Sequence, residues 1–294
     1  MISSYPAAQV DSAEKTVMAD LAPGELMARA ARAAANVVAR QLRLRRGNAS
    51  GGSVTLLVGT GNNGGDALFA GARLAARGVA VTAVATGNRV HATGRQALEQ
   101  AGGRLVTISE GGPGVFTPIE VVTQQAARCD VIVDGLLGIG SRGPLSGHAA
   151  GLVTTLIVEA SLAAPLRYRR ADRPVVVAVD VPSGIGVDDG AVGGQVLPAD
   201  VTVTFGAYKP GALLPPASGL FGHIELIDLG LGPTLREGGQ PTAQRLEVAD
   251  GLELWPVPRR ADHKYSRGVL GVVAGSETYP GAAVLTTSAA VAAG

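Results

Sequence analysis

The chain has 294 residues, 46% of them apolar but only 3% aromatic, with a mean hydropathy of +0.26. That length predicts one large domain or two smaller ones, with ample material for a core. Lys and Arg total 25 against 24 Asp and Glu, a net charge of +1, which argues against the clustered basic face of a nucleic-acid binder, and no apolar run reaches the ~20 residues of a membrane span. Met1–Pro6 lacks the basic start and apolar core of a signal peptide. The single cysteine, Cys129, rules out an intrachain disulfide and fits a reducing, cytoplasmic compartment. It stands just before an apolar strand and reads as a buried structural thiol.

The elements follow in chain order. Residues 23–42 form a long amphipathic pattern with Gly47 as its stop. Beyond it strand and helix patterns alternate. Strands are expected at Val54–Val58, Val79–Ala85, Arg104–Ile108, Asp130–Asp134 and Val175–Asp180; helices are expected at Gly64–Arg77, Thr93–Ala101, Thr117–Ala127 and Gly147–Glu159. The strands are mostly continuous runs of Val, Ile and Leu, as in a parallel sheet covered on both faces. Repeated βα units predict an α/β, doubly wound, Rossmann-like fold. Val201–Phe205 and His223–Leu229 read as further strands near an edge, Arg167–Arg173 as a charged surface insertion, and Arg236–Pro241 as a turn or linker. A second unit then opens, with a strand and glycine turn at Val269–Gly275 and a helix at Gly281–Ala293. One strand and one helix cannot close a core alone.

Chemistry concentrates at three strand ends. Gly59-Thr-Gly-Asn-Asn-Gly64 matches G-x-G-x-x-G after a strand and before a helix, where backbone N–H groups face an anionic ligand. The bland reading is an ordinary tight turn. A dinucleotide coenzyme would also need an acidic residue at the end of the next strand, and Val79–Gly87 has none. Val131-Ile-Val-Asp134 and Val175-Val-Val-Ala-Val-Asp180 each end in a carboxylate followed by a glycine-bearing loop. Parallel strands put these ends on one edge, so Asn62, Asn63, Asp66, Asp134, Asp180 and Ser183 should converge. A single strand-end Asp is commonly a helix cap; three equivalent loops with Asp or Asn predict a shared site.

Asn62-Asn-Gly-Gly-Asp66, Val133-Asp-Gly-Leu-Leu-Gly-Ile-Gly140, Val179-Asp-Val-Pro-Ser-Gly184 and Ala199–Gly211 together resemble the NAD(P)H-hydrate epimerases, the YjeF N-terminal domain family, in order and spacing over residues 5–232. Gln9, Glu14 and Leu26–Ala30 fit that family's first helices. His263-Lys-Tyr-Ser-Arg-Gly268 and Val272–Ser276 are similar to the start of an ADP- or ATP-dependent NAD(P)H-hydrate dehydratase domain with a ribokinase-like fold. The resemblance divides the chain into an epimerase domain, 1–245, and the start of a truncated dehydratase domain, 246–294.

What the resemblance implies is epimerisation of hydrated NADH or NADPH at nicotinamide C6, assisted by K+. Asp180 is the implied acid/base, and the cation falls on Asn63, Asp134 and Ser183. Substrate falls on Asn62, Asn63, Gly64, Gly65 and Asp66, on Gly138, Ile139, Gly140, Ser141, Arg142, Gly143 and Pro144, and on Asp180. Arg142 is a reasonable diphosphate partner, with a plain surface arginine as the alternative, and Lys209 a weaker site-lining residue. For Asp180 the alternative is a cap holding the Pro182–Gly184 turn. The chain departs from the family pattern at Ala67 (usually Gly), Ile139 (usually Thr) and Gly186 (usually Asp or Asn). No nucleic-acid or membrane partner is expected, and a homo-oligomer is. The rival reading is a non-catalytic dinucleotide- or RNA-binding scaffold of the same fold.

Overall fold

The computed structural model describes residues 1–141, 143–162, 173–255, 257 and 259–293. They fall into two compact units, Met1–Arg245 and Leu246–Gly294.

The first unit is built on an eight-stranded sheet: β2 (Ser53–Val58), β3 (Ala80–Ala85), β4 (Arg104–Thr107), β5 (Val115–Phe116), β6 (Val131–Gly135), β7 (Val175–Val179), β8 (Val201–Phe205) and β9 (His223–Ile227). The spatial order is β5-β4-β3-β2-β6-β7-β8-β9, and every pair is parallel. The chain winds outward from β2 in one direction and from β6 in the other, so the order reverses between those two strands. In such sheets the crevice beyond the carboxyl ends at the reversal is where ligands bind.

Alternation along the strands divides the core. Leu56 and Val58, with Val133 and Val177, pack under the helices α2 (Glu25–Arg46) and α3 (Asn62–Ala75), with α4 (Ala92–Gln100) beside α3. Leu57, Ile132 and Val176 face the other way, under α5 (Ile119–Ala127) and α6 (Gly147–Glu159). Helices thus cover both faces, as the continuous apolar runs predict. Helix α2 ends where expected, at Gly47 in the left-handed conformation (φ 86°). Cys129 is buried, its Sγ donates to Val131 O at 3.1 Å, and burial pushes its thiol up to about 11.

Several elements escape the sequence patterns. Helix α1 (Ala7–Met18) buries only Val10 and Ala13, too short an apolar stripe to stand out. Strand β1 (Ile2–Ser4) pairs antiparallel with β10 (Ala243–Arg245), and β5 has two residues, both exposed. The turn expected around Arg236 lies partly in a short helix, α7 (Gly232–Glu237). Residues 167–172 of the expected surface insertion lie outside the described residues. Arg173 is no surface charge: it is 11% exposed and forks onto both carboxylate oxygens of Asp200.

The second unit contains α8 (Val248–Leu254) and α9 (Gly281–Ala293). The strand expected at Val269–Gly275 does not form: among the described residues of this unit no strand exists for it to pair with, and a lone strand leaves its N–H and C=O groups without a ladder. Leu285 is 73% exposed and Val273 fully so. Among the described residues no helix is long and apolar enough to cross a membrane.

Candidate active site at the carboxyl edge of the sheet

The loops leaving β2 and β6 touch through their backbones. A Cβ built on Gly59 would stand 1.8 Å from Leu136 O, and one on Gly64 would stand 2.2 Å from Gly59 O. Only glycine permits that approach. Helix α3 begins at Asn62, two residues before the expected start, because Gly61 takes the capping position in extended conformation with no side chain to satisfy the first amides. Asn62 and Asn63 therefore lie in the first helical turn, and the open N–H groups there favour an anion.

Above these loops lies a cavity of about 860 Å³, large enough for a nucleotide-sized ligand. Of the residues expected to bind substrate, Asn62, Asn63, Asp66, Gly138, Ile139, Gly140, Ser141, Gly143 and Asp180 line it. Gly64, Gly65 and Pro144 do not: Gly64 packs on Gly59, Gly65 on the His91 ring, and Pro144 near Gly194. Arg142 lies outside the described residues. The far wall comes from α1, through Ala7, Ala8, Asp11 and Glu14. That helix is anchored by Ala7 N donating to Asp188 Oδ1 (2.7 Å), Tyr5 N to Tyr208 O (2.9 Å) and Gln9 Nε2 to Leu235 O (2.9 Å).

Asp180 follows the last residue of β7 with φ at 68°, left-handed for a non-glycine residue. Such backbone is uncommon outside glycine and clusters at functional sites. Its N–H donates to Val203 O at 2.7 Å. Its Oδ1 takes an ion pair from Lys209 Nζ, and Thr204 Oγ1 lies 3.4 Å away. Lys209 is 1% exposed, and its remaining donors reach Thr204 Oγ1 and Phe205 O, both at 3.0 Å. Every donor of this buried ammonium is thus placed, one of them on the Asp180 carboxyl at the cavity. From sequence Lys209 was only a weak site-lining residue; its signal is its rarity, one of three lysines in the chain.

Asp134 and Ser183 do not line the cavity; both are fully buried beneath it. Asp134 Oδ1 accepts from Ser183 Oγ at 2.6 Å and from Leu136 N at 3.3 Å, while Oδ2 accepts from Ser183 N at 2.9 Å. Burial pushes the Asp134 carboxyl up, and the bonds from Ser183 and Leu136 pull it back. Leu137 ties the set together: its N–H donates to Ser183 Oγ at 2.9 Å, and its carbonyl accepts from Asn63 Nδ2 at 2.9 Å. Asn63 from the first turn of α3, Asp134 from the end of β6 and Ser183 from the loop after β7 thus meet at Leu136–Leu137. A buried carboxylate with only neutral hydrogen-bond donors, grouped with amide, hydroxyl and carbonyl oxygens, is a donor set that fits one hard cation of low charge.

The departures have local counterparts. Ala67 is buried, and its Cβ stands 2.5 Å from where a Cβ on Gly135 would lie. At Gly186 a Cβ would fall 1.8 Å from Asp189 Oδ1, so the Asp189 carboxylate fills the space that a side chain at 186 would use.

Residues 23–211 match the model of the family described as YjeF-related protein N-terminus. The bifunctional NAD(P)H-hydrate repair enzyme Nnr of Mycobacterium leprae is 40% identical over 290 residues, covering 98% of this chain and 53% of that protein. The NAD(P)H-hydrate epimerase of Microbacterium testaceum is 39% identical over 249 residues, covering 84% of this chain and 86% of its own length. The chain spans about half the length of the bifunctional relatives it matches. The crystal structure of yeast ynu0, YNL200c, superposes with a TM-score of 0.62 over 84% of this chain and 97% of that one at 21% identity, a likeness of fold.

Proposed function

The chain belongs to the YjeF-related protein N-terminus family, and from that membership we propose that it is an NAD(P)H-hydrate epimerase, an isomerase that interconverts the R and S forms of hydrated NADH or NADPH at nicotinamide C6. The single observation that carries this reading is Asp180, in left-handed backbone at the 860 Å³ cavity and ion-paired to the buried Lys209.

The chemistry asked of the site is modest. C6 carries a hydroxyl beside a ring nitrogen with a lone pair, so departure of the hydroxyl gives a ring cation to which water returns from either face. The Asp180 carboxylate stabilises that cation electrostatically, in a cavity where such interactions are stronger than in water. The uncapped start of α3 and the Gly138–Gly143 loop are suited to the diphosphate. A scaffold that had lost catalysis would have no use for a lysine buried with all its protons placed on Asp180, Thr204 and Phe205. K+ is the cation we assign to Asn63, Asp134 and Ser183, with the Leu137 carbonyl beside them. When bound it would supply a fixed positive charge under the substrate loops.

Residues 246–294 correspond, in this reading, to the start of the dehydratase half of a bifunctional enzyme, and the nucleotide that half uses, ADP or ATP, is not a ligand of the first unit. Incubating the protein with one epimer of NADHX and resolving the products by chiral chromatography tests the function. Mixed epimers from wild type and none above background from a folded Asp180→Asn are expected; full activity in that variant rejects the assignment of Asp180.

A further inference from the structure

The cavity holds more acid than the reaction as described uses. Asp66, in the second turn of α3, lines the same cavity as Asp180. Its Oδ1 is buried without a hydrogen-bond partner, an expensive arrangement for a carboxylate and a tolerable one for a carboxylic acid. Two carboxyls in one cavity therefore differ: Asp180 has a lysine on it, and among the described residues no hydrogen-bond donor reaches Oδ1 of Asp66. Burial pushes the Asp66 carboxyl well up, and the negative charges of Asp180 and Glu14 push the same way. The charged groups around it are Asp180 after β7, Lys209 after β8, Asp11 and Glu14 on α1, and Asp188 and Asp189 in the loop beyond Asp180. Glu14 is also raised, by burial first and Asp180 second, with Lys209 opposing.

We infer that Asp66 is a second catalytic residue of the epimerisation proposed above: it hands its proton to the hydroxyl leaving C6, while Asp180 remains a carboxylate. The C6–O bond breaks with its electron pair on oxygen, the Asp66 proton completes a water molecule, and the nitrogen lone pair closes an N1–C6 double bond. The ring is then cationic and Asp66 a carboxylate. In return, water adds to C6 from either face, its spare proton goes back to Asp66, and the π electrons return to nitrogen. Nothing is oxidised or reduced. Pairs of carboxyls driven to opposite protonation states by their surroundings are how acid and base roles separate in one site.

The test is the pH dependence of NADHX epimerisation for wild type, Asp66→Asn and Asp66→Glu. Asp66→Asn is expected to lose kcat by about 10²–10⁴-fold, with KM changed far less, and to lose the alkaline limb of the kcat profile. Asp66→Glu should keep that limb at a displaced pH. Wild-type kcat with an intact alkaline limb in Asp66→Asn overturns the inference. Thermal melts give a reading independent of turnover. A carboxyl raised in the folded state costs nothing below its unfolded value and destabilises progressively above it, so Asp66→Asn should melt with wild type near pH 4 and above it near pH 8. An equal difference at both pH values also overturns the inference. Because the inference rests on the epimerase reading, a wild-type protein that leaves NADHX epimers unmixed overturns both, whereas mixing that does not need Asp66 overturns the donor role alone.

Discussion

Strand β6 has one aspartate just before its first residue and another next to its last, and the protein treats the two in opposite ways. Asp130, at the amino edge, accepts from Ser53 N (2.8 Å) and Ser53 Oγ (3.0 Å) and lies within 3.5 Å of Arg45 and Arg46. Burial would raise its carboxyl, but the Ser53 bonds and Arg46 outweigh it and hold the group below the usual range. Asp134, at the carboxyl edge, has neutral donors only and is pushed up. The next strands repeat the contrast: Asp200, before β8, is forked by Arg173 and accepts from Val176 N at 2.8 Å, whereas Asp180, after β7, faces an open cavity with one lysine. Carboxylates at the amino edge are saturated and hold strands in register. Those at the carboxyl edge are left with capacity for a cation or a substrate. The position of an aspartate relative to strand direction, not its burial, separates stability from chemistry.

Four substitutions probe that division. Asp180→Asn leaves Lys209 buried without its charge partner, so it should cost about 3–5 kcal/mol in unfolding and, in the protein that remains folded, about 10²–10⁴-fold in kcat; a loss confined to folding would make Asp180 one more structural carboxylate. Asp200→Asn leaves Arg173 buried without its charge partner and should cost about 3–5 kcal/mol in denaturant unfolding while the surviving folded protein keeps its kcat. A stability loss under about 1 kcal/mol would place that pair with ordinary surface bridges. Asp134→Ala should abolish the response of activity and melting to replacing K+ by choline; a response equal to wild type's would move the cation elsewhere.

Asp130→Asn should cost about 1.5–3 kcal/mol near neutral pH, the worth of hydrogen bonds to a charged group. Its folded carboxyl is depressed, so this contribution is present above the unfolded value near 4 and disappears as pH falls through the folded value. Wild type and variant should therefore converge in urea midpoint at acid pH, and parallel curves down to low pH would refute the ionic origin.

The sheet and its chemical edge were legible because each rests on a local signal. Buried parallel strands read as continuous Val, Ile and Leu, and their ends are marked by Asp134 and Asp180 with glycines following. What was not legible depends on partners remote in the chain. Helix α1 becomes a cavity wall through Ala7 and Asp188, 181 residues apart, and no pattern in residues 7–18 announces it. The burial of Lys209, the orphaned oxygen of Asp66 and the displacement of Asp134 and Ser183 to beneath the cavity are facts of packing. At Val269–Gly275 the local pattern is strand-like, yet pairing, not propensity, decides whether a strand exists.

The pairing of residues 2–4 with residues 243–245 has a consequence for how the molecule is born. Ribosomes add about 5–20 residues per second, so the first strand waits on the order of ten seconds to a minute for its partner. In that interval β2, β6 and β7 are made first, and the partners that seat α1, Asp188, Tyr208 and Leu235, follow in turn before residues 243–245 arrive. An early segment, Ile2–Ser4, is thus held by one 239 residues further along the chain, made after the strands that carry Asp134 and lead into Asp180.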